Sequence, residues 1–542
     1  MQGRWRAAGW LRGTIRWWRL SVVTYSVYSL GCVACSAAQP VAPGPQRPVR
    51  PAAVALATER VLDLSLEEAV RLALQNNLDV ERERLGPHVA HTQVEQARAV
   101  FDPSVGLAAG LTQTKTLPTS QTAQFDPQTG DFTGTSTTRP MKKSVEVRPS
   151  FKQKIVTGGS YELSFVNVRE RSSPARSGST TLIANPRYDS ALALTFSQPL
   201  LKDFGIALNV APIRQAQHAE DIAQQRVVQL VLDTVFLVQQ GYWELVFRVQ
   251  DLGAKRESKT LAEDFLAENT IRVELGSLAP IELVQAQTQT KRAEGDVIIA
   301  EAAVREAEDR LKEILNIAET VSTWRIRLHP TDTPPFTPVA DIALEEKVAY
   351  AMQHRPDLVQ AQLTIASQEI SREVARHQRL PRVDLEGKAS VSAFSNDAGN
   401  ALANLSDADG YNWSLFLRFS YPLGNRAADN EVQRQRLLLQ QALLDQRKLQ
   451  RTVVRQVFQT ARDVETSSKR VEVTRSATVL ARTQLEAEQE KFRLGLSTSF
   501  NVLQFQTQLT TARTDETRAL SDYNVALGKL DQVTGTLQSS AK

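Results

Sequence analysis

Two hydrophobic periods divide this chain. From Tyr411 to Tyr421 the odd positions Tyr411, Trp413, Leu415, Leu417, Phe419 and Tyr421 are apolar, whereas Asn412, Ser414, Arg418 and Ser420 are polar and only Phe416 departs from the alternation. Successive side chains of a strand point to opposite faces, so this spacing predicts a strand with one apolar side. Val383, Leu385, Gly387, Ala389 and Val391 alternate in the same way with Asp384, Glu386, Lys388 and Ser390, as do Leu192, Leu194 and Phe196 with Ala193, Thr195 and Ser197. The 11 residues from Tyr411 to Tyr421 are the length a tilted strand needs to cross a bilayer. Tyr411, Trp413, Phe419 and Tyr421 gather at the ends of the run, where an aromatic girdle would meet the two membrane interfaces.

The second period is helical. Arg426 to Leu494 is a stretch of 69 residues with neither Gly nor Pro, bounded by Gly424 and Gly495. At about 1.5 Å per residue such a helix is roughly 100 Å long. Within it Val454, Val457, Ala461, Val464 and Val471 step by 3, 4, 3 and 7, which is coiled-coil spacing. The doublets Val453-Val454 and Val457-Phe458 widen the apolar stripe beyond one seam. A helix apolar on more than one flank needs more than one neighbour, as in a cylinder of helices; a two-stranded coiled coil is the simpler alternative for this segment taken alone.

The pattern occurs twice. A shift of 278 lays Leu66-Glu67-Glu68 on Leu344-Glu345-Glu346, Asp79 on Asp357, Pro103 on Pro381, Val105 on Val383 and Leu107 on Leu385 without a gap. Gln198-Pro199-Leu200 then matches Tyr421-Pro422-Leu423 at a shift of 223, so the first copy carries 55 extra residues between these landmarks. Glu274-Leu275-Gly276 matches Arg493-Leu494-Gly495 at a shift of 219. Each copy reads as helix, extended segment and long helical hairpin. The first repeat is expected at residues 64–320 with an insertion at about 113–190, and the second at 344–535. Residues 321–343 are expected to link them, and 536–542 to form a tail.

One copy offers too few strands to close a barrel, and an open sheet edge in lipid would leave amides and carbonyls without partners. Several chains must therefore share one barrel, with the charged strand faces lining a wet lumen.

The chain's beginning adds an address. Arg4, Arg6, Arg12, Arg16 and Arg19 precede the apolar stretch Leu20 to Ala34 and the small residues Ser36-Ala37-Ala38. Residues 1–38 thus read as a secretory signal; an uncleaved anchor is the alternative, for which the apolar run is short. Residues 39–63 read as a linker, because Pro40, Pro43, Pro45, Pro48 and Pro51 forbid a helix. The net charge of +4 becomes −1 once the five leading arginines are set aside, which leaves no electrostatic footprint for nucleic acid. Both cysteines, Cys32 and Cys35, lie at the end of the signal, so the body has neither disulfides nor cysteine metal sites. Ser29-Leu30-Gly31-Cys32 is a poor lipoprotein box, and lipidation stays an open alternative.

These residues resemble the TolC family of outer-membrane efflux proteins over about residues 64 to 535. The motifs that carry the resemblance are the run from Leu66 to Asn77, Gly158-Gly159-Ser160-Tyr161, Ser197-Gln198-Pro199-Leu200-Leu201, and the glycine turns at Gly276 and Gly495. The resemblance implies an α+β membrane protein: a homotrimer whose subunits each add four strands to a 12-stranded outer-membrane barrel and their helices to a periplasmic α-barrel. It implies the channel of a tripartite efflux or type I secretion system. A periplasmic adaptor (membrane fusion) protein would dock at the helical turns Leu275, Gly276, Ser277, Leu494, Gly495, Leu496 and Ser497, and an inner-membrane transporter of the RND, ABC or MFS type would drive export. Relatives often narrow the pore with aspartates just after the second turn; here those places hold Asn501 and Gln504, with Glu282 and Gln285 in the first copy. A ring of Glu282 carboxylates would repel anions, although a solvated charge at a helix start is an equal alternative. Lys143 to Ile155 and Ser160 to Arg169 look like an additional hairpin around Gly158-Gly159, which would either join the barrel or form surface loops.

No phosphate loop, His-Glu-x-x-His or Gly-x-Ser-x-Gly occurs, so neither an enzyme nor a cofactor is expected. His88 and His91 are spaced for a shared metal but lack a third ligand, and read as exposed helical histidines. The remaining competitor is a periplasmic coiled-coil adaptor bridging a pump to another channel. Adaptors usually have one hairpin, whereas this chain has two together with membrane-type strands.

Overall fold

A computed structural model describes residues 61–115, 122–136, 141–172, 185–317, 320–338, 342–407 and 410–536. The expected signal, Cys32, Cys35, most of the proline-rich segment and the end of the tail lie outside these residues. The first half runs β1 (Val61–Leu64), α1 (Leu66–Asn76), α2 (Leu78–Arg98), β2 (Ser104–Lys115), β3 (Thr122–Phe125), β4 (Phe132–Ser136), β5 (Met141–Lys154), β6 (Ser160–Ser172), β7 (Arg187–Pro199), α3 (Ile206–Asn209), α4 (Ala211–Glu274) and α5 (Pro280–Leu315). The second runs α6 (Val321–Trp324), β8 (Arg327–Pro330), α7 (Leu344–His354), α8 (Pro356–Gln378), β9 (Arg382–Ser395), α9 (Ala398–Ala403), β10 (Gly410–Ser420), α10 (Arg426–Arg493) and α11 (Ser499–Thr534). Element lengths recur between the halves: α1 and α7 have 11 residues each, α5 and α11 have 36 each, and α4 and α10 have 64 and 68.

The long helices are held by a seven-residue repeat. Along α10 the buried positions include Val457, Val464, Val471, Thr478, Leu485 and Phe492, and along α11 Val502, Leu509, Tyr523 and Leu530. A strict period of seven keeps one seam facing the partner and imposes a left-handed supercoil. At the start of this seam Val453 is fully buried and Val454 only half-buried, so the expected stripe begins one residue earlier. Near the tips α5, α4, α11 and α10 pack side by side, and nearer the sheet α2, α4, α8 and α10 do so. The wall is therefore four helices wide at both levels.

Between these levels, described parts of the two expected linkers form strands. Val61–Leu64, at the end of the proline-rich segment, pairs in parallel with β8 from the inter-repeat segment. The physical reason is burial: Leu64 and Leu328 join the core formed by Tyr242, Leu245, Leu311 and Leu315. The fully buried Tyr242 hydroxyl lies 3.0 Å from the Leu64 carbonyl and 2.9 Å from Asp332 Oδ2, and accepts from the Asp332 amide at 3.2 Å. Burial pushes the phenol up to about 12, so it stays a neutral donor. Asp332 also caps α1 by accepting from the Leu66 amide at 2.7 Å. Tyr242→Phe would strand these acceptors and is expected to cost about 1–3 kcal/mol. Denaturant titration of the solubilised protein should show the loss; an unchanged midpoint would mean that the hydroxyl does not tie the two linkers to α4.

Candidate functional site: the sheet face and the hairpin tips

Six strands form one antiparallel sheet in the order β10-β9-β7-β6-β5-β2, and β3-β4 is a small separate hairpin between β2 and β5. The four strands per chain implied by the family resemblance are thus exceeded. The correction comes from β5 and β6, which pair with each other and insert between β2 and β7. β2 continues to Lys115 and β7 begins at Arg187.

Register aligns the apolar faces of all six strands. Val105 lies opposite Phe151, Phe151 opposite Leu163, Leu163 opposite Leu194, Leu194 opposite Ala389 and Ala389 opposite Trp413. Directly opposed residues share a face, so this is one apolar row across the sheet. The next residues along form a polar row on the other face, Ser104, Lys152, Glu162, Thr195, Lys388 and Ser414. That face holds the ion pairs Arg418–Glu386 (2.9 Å) and Lys142–Glu170 (3.0 Å). The apolar face is bare: Val105 is 82% exposed and Trp413 72%. Tyr411 and Phe419 are exposed with it, and Tyr421 follows the strand's last residue. An uncovered apolar band of this extent marks an interaction surface, and its period and length suit lipid.

At the opposite end of the long helices both hairpin tips close with the same cap. Gly276 and Gly495 each have φ +72°, the left-handed region that favours glycine. The Gly276 amide donates to the Val273 carbonyl and that of Ser277 to Arg272; Gly495 and Leu496 do the same to Phe492 and Lys491. A Cβ on either glycine would meet nothing within 4 Å, so backbone conformation and not crowding calls for glycine. Leu275, Leu494 and Leu496 are exposed around these turns, as are Ile281 and Phe500, which the sequence reading did not single out.

The tips are tied together. The Arg272 guanidinium stacks 4.8 Å from the Phe492 ring centre, and Asn269 Nδ2 donates to Ser499 Oγ at 3.2 Å. In the second tip Ser497 donates to Glu488, and Asn501 Nδ2 donates to Ser497 Oγ at 3.2 Å. The Ser497 hydroxyl and then the Lys491 ammonium hold the Glu488 carboxyl below the usual carboxylate range. Asn501 is thereby engaged within its own tip, whereas Gln504 is exposed. Glu282 and Gln285 share one side of the first turns of α5, and each has a buried oxygen without a hydrogen-bond partner in this chain. His91 Nδ1 lies 3.2 Å from Glu220, and among the described residues no three His, Cys, Asp or Glu side chains cluster as metal ligands. Among the described residues no helix is long and apolar enough to cross a membrane.

Residues 348–536 match the model of the outer membrane efflux protein family. The match spans the elements from α7 to α11. The chain is 25% identical over 365 residues to the outer membrane protein TolC of Vibrio cholerae, an alignment covering 65% of this chain and 78% of that protein. Solved structures agree in fold. The Campylobacter jejuni CmeC outer membrane channel superposes with a TM-score of 0.60 at 15% identity, covering 88% of this chain and 89% of that one. The outer membrane protein VceC of Vibrio cholerae gives a TM-score of 0.60 at 15% identity over 87% and 96% of the two chains. The family's helical and sheet content is thus present here, with a six-stranded sheet above the helical hairpins.

The face assignment makes a direct prediction. Leu415→Arg, on the apolar face midway along β10, is expected to cost about 2–4 kcal/mol in the membrane, whereas Ser414→Arg on the polar face should be nearly neutral. Urea titration of the assembled protein in bilayers, with the amount recovered from outer membranes, checks this; equal losses would reject the assignment.

Proposed function

We propose that this chain is the outer-membrane duct of a tripartite export system. Three copies pool their sheets into a lipid-embedded barrel and their helices into a periplasmic cylinder. A periplasmic adaptor meets the exposed leucines of the hairpin tips, and an inner-membrane transporter supplies the energy. The observation that carries this reading is the apolar row crossing every strand of the sheet, backed by a charged face and joined to helical hairpins whose ends expose Leu275, Leu494 and Leu496. A periplasmic adaptor would have no use for such a sheet, so that alternative is not favoured. A polar lumen of this width distinguishes cargo poorly, and selection falls to the pump.

Two measurements test the working parts. Gly495→Trp should abolish export while trimers still reach the outer membrane, and Leu494→Glu, which leaves the glycine cap intact, should do the same. Retained export in both would remove the docking role from this tip. For the constriction, the partnerless Glu282 oxygen makes the first tip the place where neighbouring copies could form a carboxylate ring. Glu282→Gln should then lower cation preference in bilayer recordings; an unchanged reversal potential would dispose of the ring.

A further inference from the structure

We infer that the membrane wall is a ring of eighteen strands in which the hairpin β5–β6 is structural wall and β10 of each copy pairs with β2 of the next. This rests on the three-chain duct proposed above and replaces the four strands per chain of the simpler pattern with the six seen here.

Pairing comes first. β5 is in register with β2 from Lys152 to Met141, and β6 with β7 from Ser160 to Glu170, while β2 has no pairing with β7. Removing the hairpin from the wall would break both ladders in a solvent that offers no replacement hydrogen bonds. The hairpin's turn is also built into the base of the sheet. Gly158 has φ +96°, and a Cβ there would lie 2.2 Å from the Asp203 carbonyl oxygen; one on Gly159 would lie 2.5 Å from Gln198 Oε1. Thr157 Oγ1 donates to Gln198 Oε1 at 2.9 Å, and the Gly205 amide donates to the Thr157 carbonyl at 3.1 Å. A loose surface loop would not be wedged between β7 and the Asp203–Asn209 segment in this way.

Closure follows from the edges. All five neighbouring pairs are antiparallel, so the outer strands β10 and β2 run in opposite directions and can join as another antiparallel pair. Their lengths, 11 and 12 residues, agree. The same two edges continue below the sheet. On α2, which leads into β2, Leu78, Leu85 and Val89 are uncovered at 63%, 59% and 57%; on α10, which follows β10, Leu437 and Leu444 are uncovered at 50% and 61%. Leu78 and Leu85 on one stripe, and Leu437 and Leu444 on the other, are seven residues apart, with Val89 one helical turn beyond Leu85, and both stripes lie about 14–30 Å below the helix ends nearest the sheet, at a rise of about 1.5 Å per residue. A second copy of this chain fits α10 to α2 as it fits β10 to β2.

Width decides between six strands and four. Four helices abreast span about 32–40 Å at 8–10 Å between axes. Six strands about 4.8 Å apart and tilted by about 40° span about 38 Å, whereas four span about 25 Å. The six-stranded sheet therefore continues the helical wall without a taper.

Deleting residues 141–172 removes β5 and β6 and leaves four strands of the sheet. Electron microscopy of the full-length trimer in nanodiscs should show the membrane ring shrink by about a third in this variant, because diameter follows strand number. An unchanged ring would overturn the proposal. Cysteine pairs in the otherwise intact protein provide a test that does not depend on the deletion folding. Ala108→Cys should cross-link between copies with one of Asn412→Cys, Ser414→Cys or Phe416→Cys, and should not cross-link within a chain to Ala191→Cys, three strands away. Cross-linking of Ala108→Cys to Ala191→Cys in outer-membrane protein would overturn the strand count while leaving the duct, whereas a native mass of two chains would overturn the three-chain duct as well. Failure to recover the protein from outer membranes would overturn both.

Discussion

Every backbone amide and carbonyl placed in lipid needs a partner from protein, and the rest of this structure follows from that requirement. The six strands satisfy one another through five ladders, and β10 and β2 remain with one open side each. An isolated copy cannot resolve those edges. In the proposed duct, association with further copies would be part of the fold, and the exposed leucines of α2 and α10 would extend the same demand along the helices. On the proposed reading the apolar face and the open edges are two expressions of one constraint: the first would place the sheet in the bilayer, and the second would oblige it to close.

Much of this was legible in the sequence because it is periodic. The alternation from Tyr411 to Ser420 is β10, the glycine-free stretch is α10, and Gly276 and Gly495 sit where the helices turn. Periodicity is local, so it reports a face but not the neighbour of that face. That is why the placement of the Lys143–Ile155 and Ser160–Arg169 segments could not be read ahead of the ladders that β5 and β6 make with β2 and β7. The linkers show the same limit. Val61–Leu64 and Arg327–Pro330 carry no strong pattern of their own, and they become strands because they meet each other over Tyr242.

The tips were legible in kind and less so in detail. A glycine followed by Pro280 or Ser499 identifies the turn, and its positive φ follows from the cap. Which nearby polar side chains stay free depends on contacts across the hairpins. Asn501 is drawn into its own tip by Ser497 and Glu488, whereas Glu282 keeps an oxygen with no partner, although the two occupy matching places in the halves. The adjacent exposed Ile281 and Phe500 give the tip more apolar surface than the glycine motif alone suggests.

One feature of the helices bears on how such a duct would answer a signal. α5 and α11 reach from the tips to Leu315 and Thr534, while α10 runs unbroken through 68 residues from just beyond β10 to the second tip. Lacking proline or glycine along that length, it has no hinge at which a twist could dissipate. In the proposed duct, torque applied by a docked neighbour at one extremity would arrive at the other as a rotation of the strand that would join adjoining subunits, and the rod would act as a mechanical linkage between its two ends.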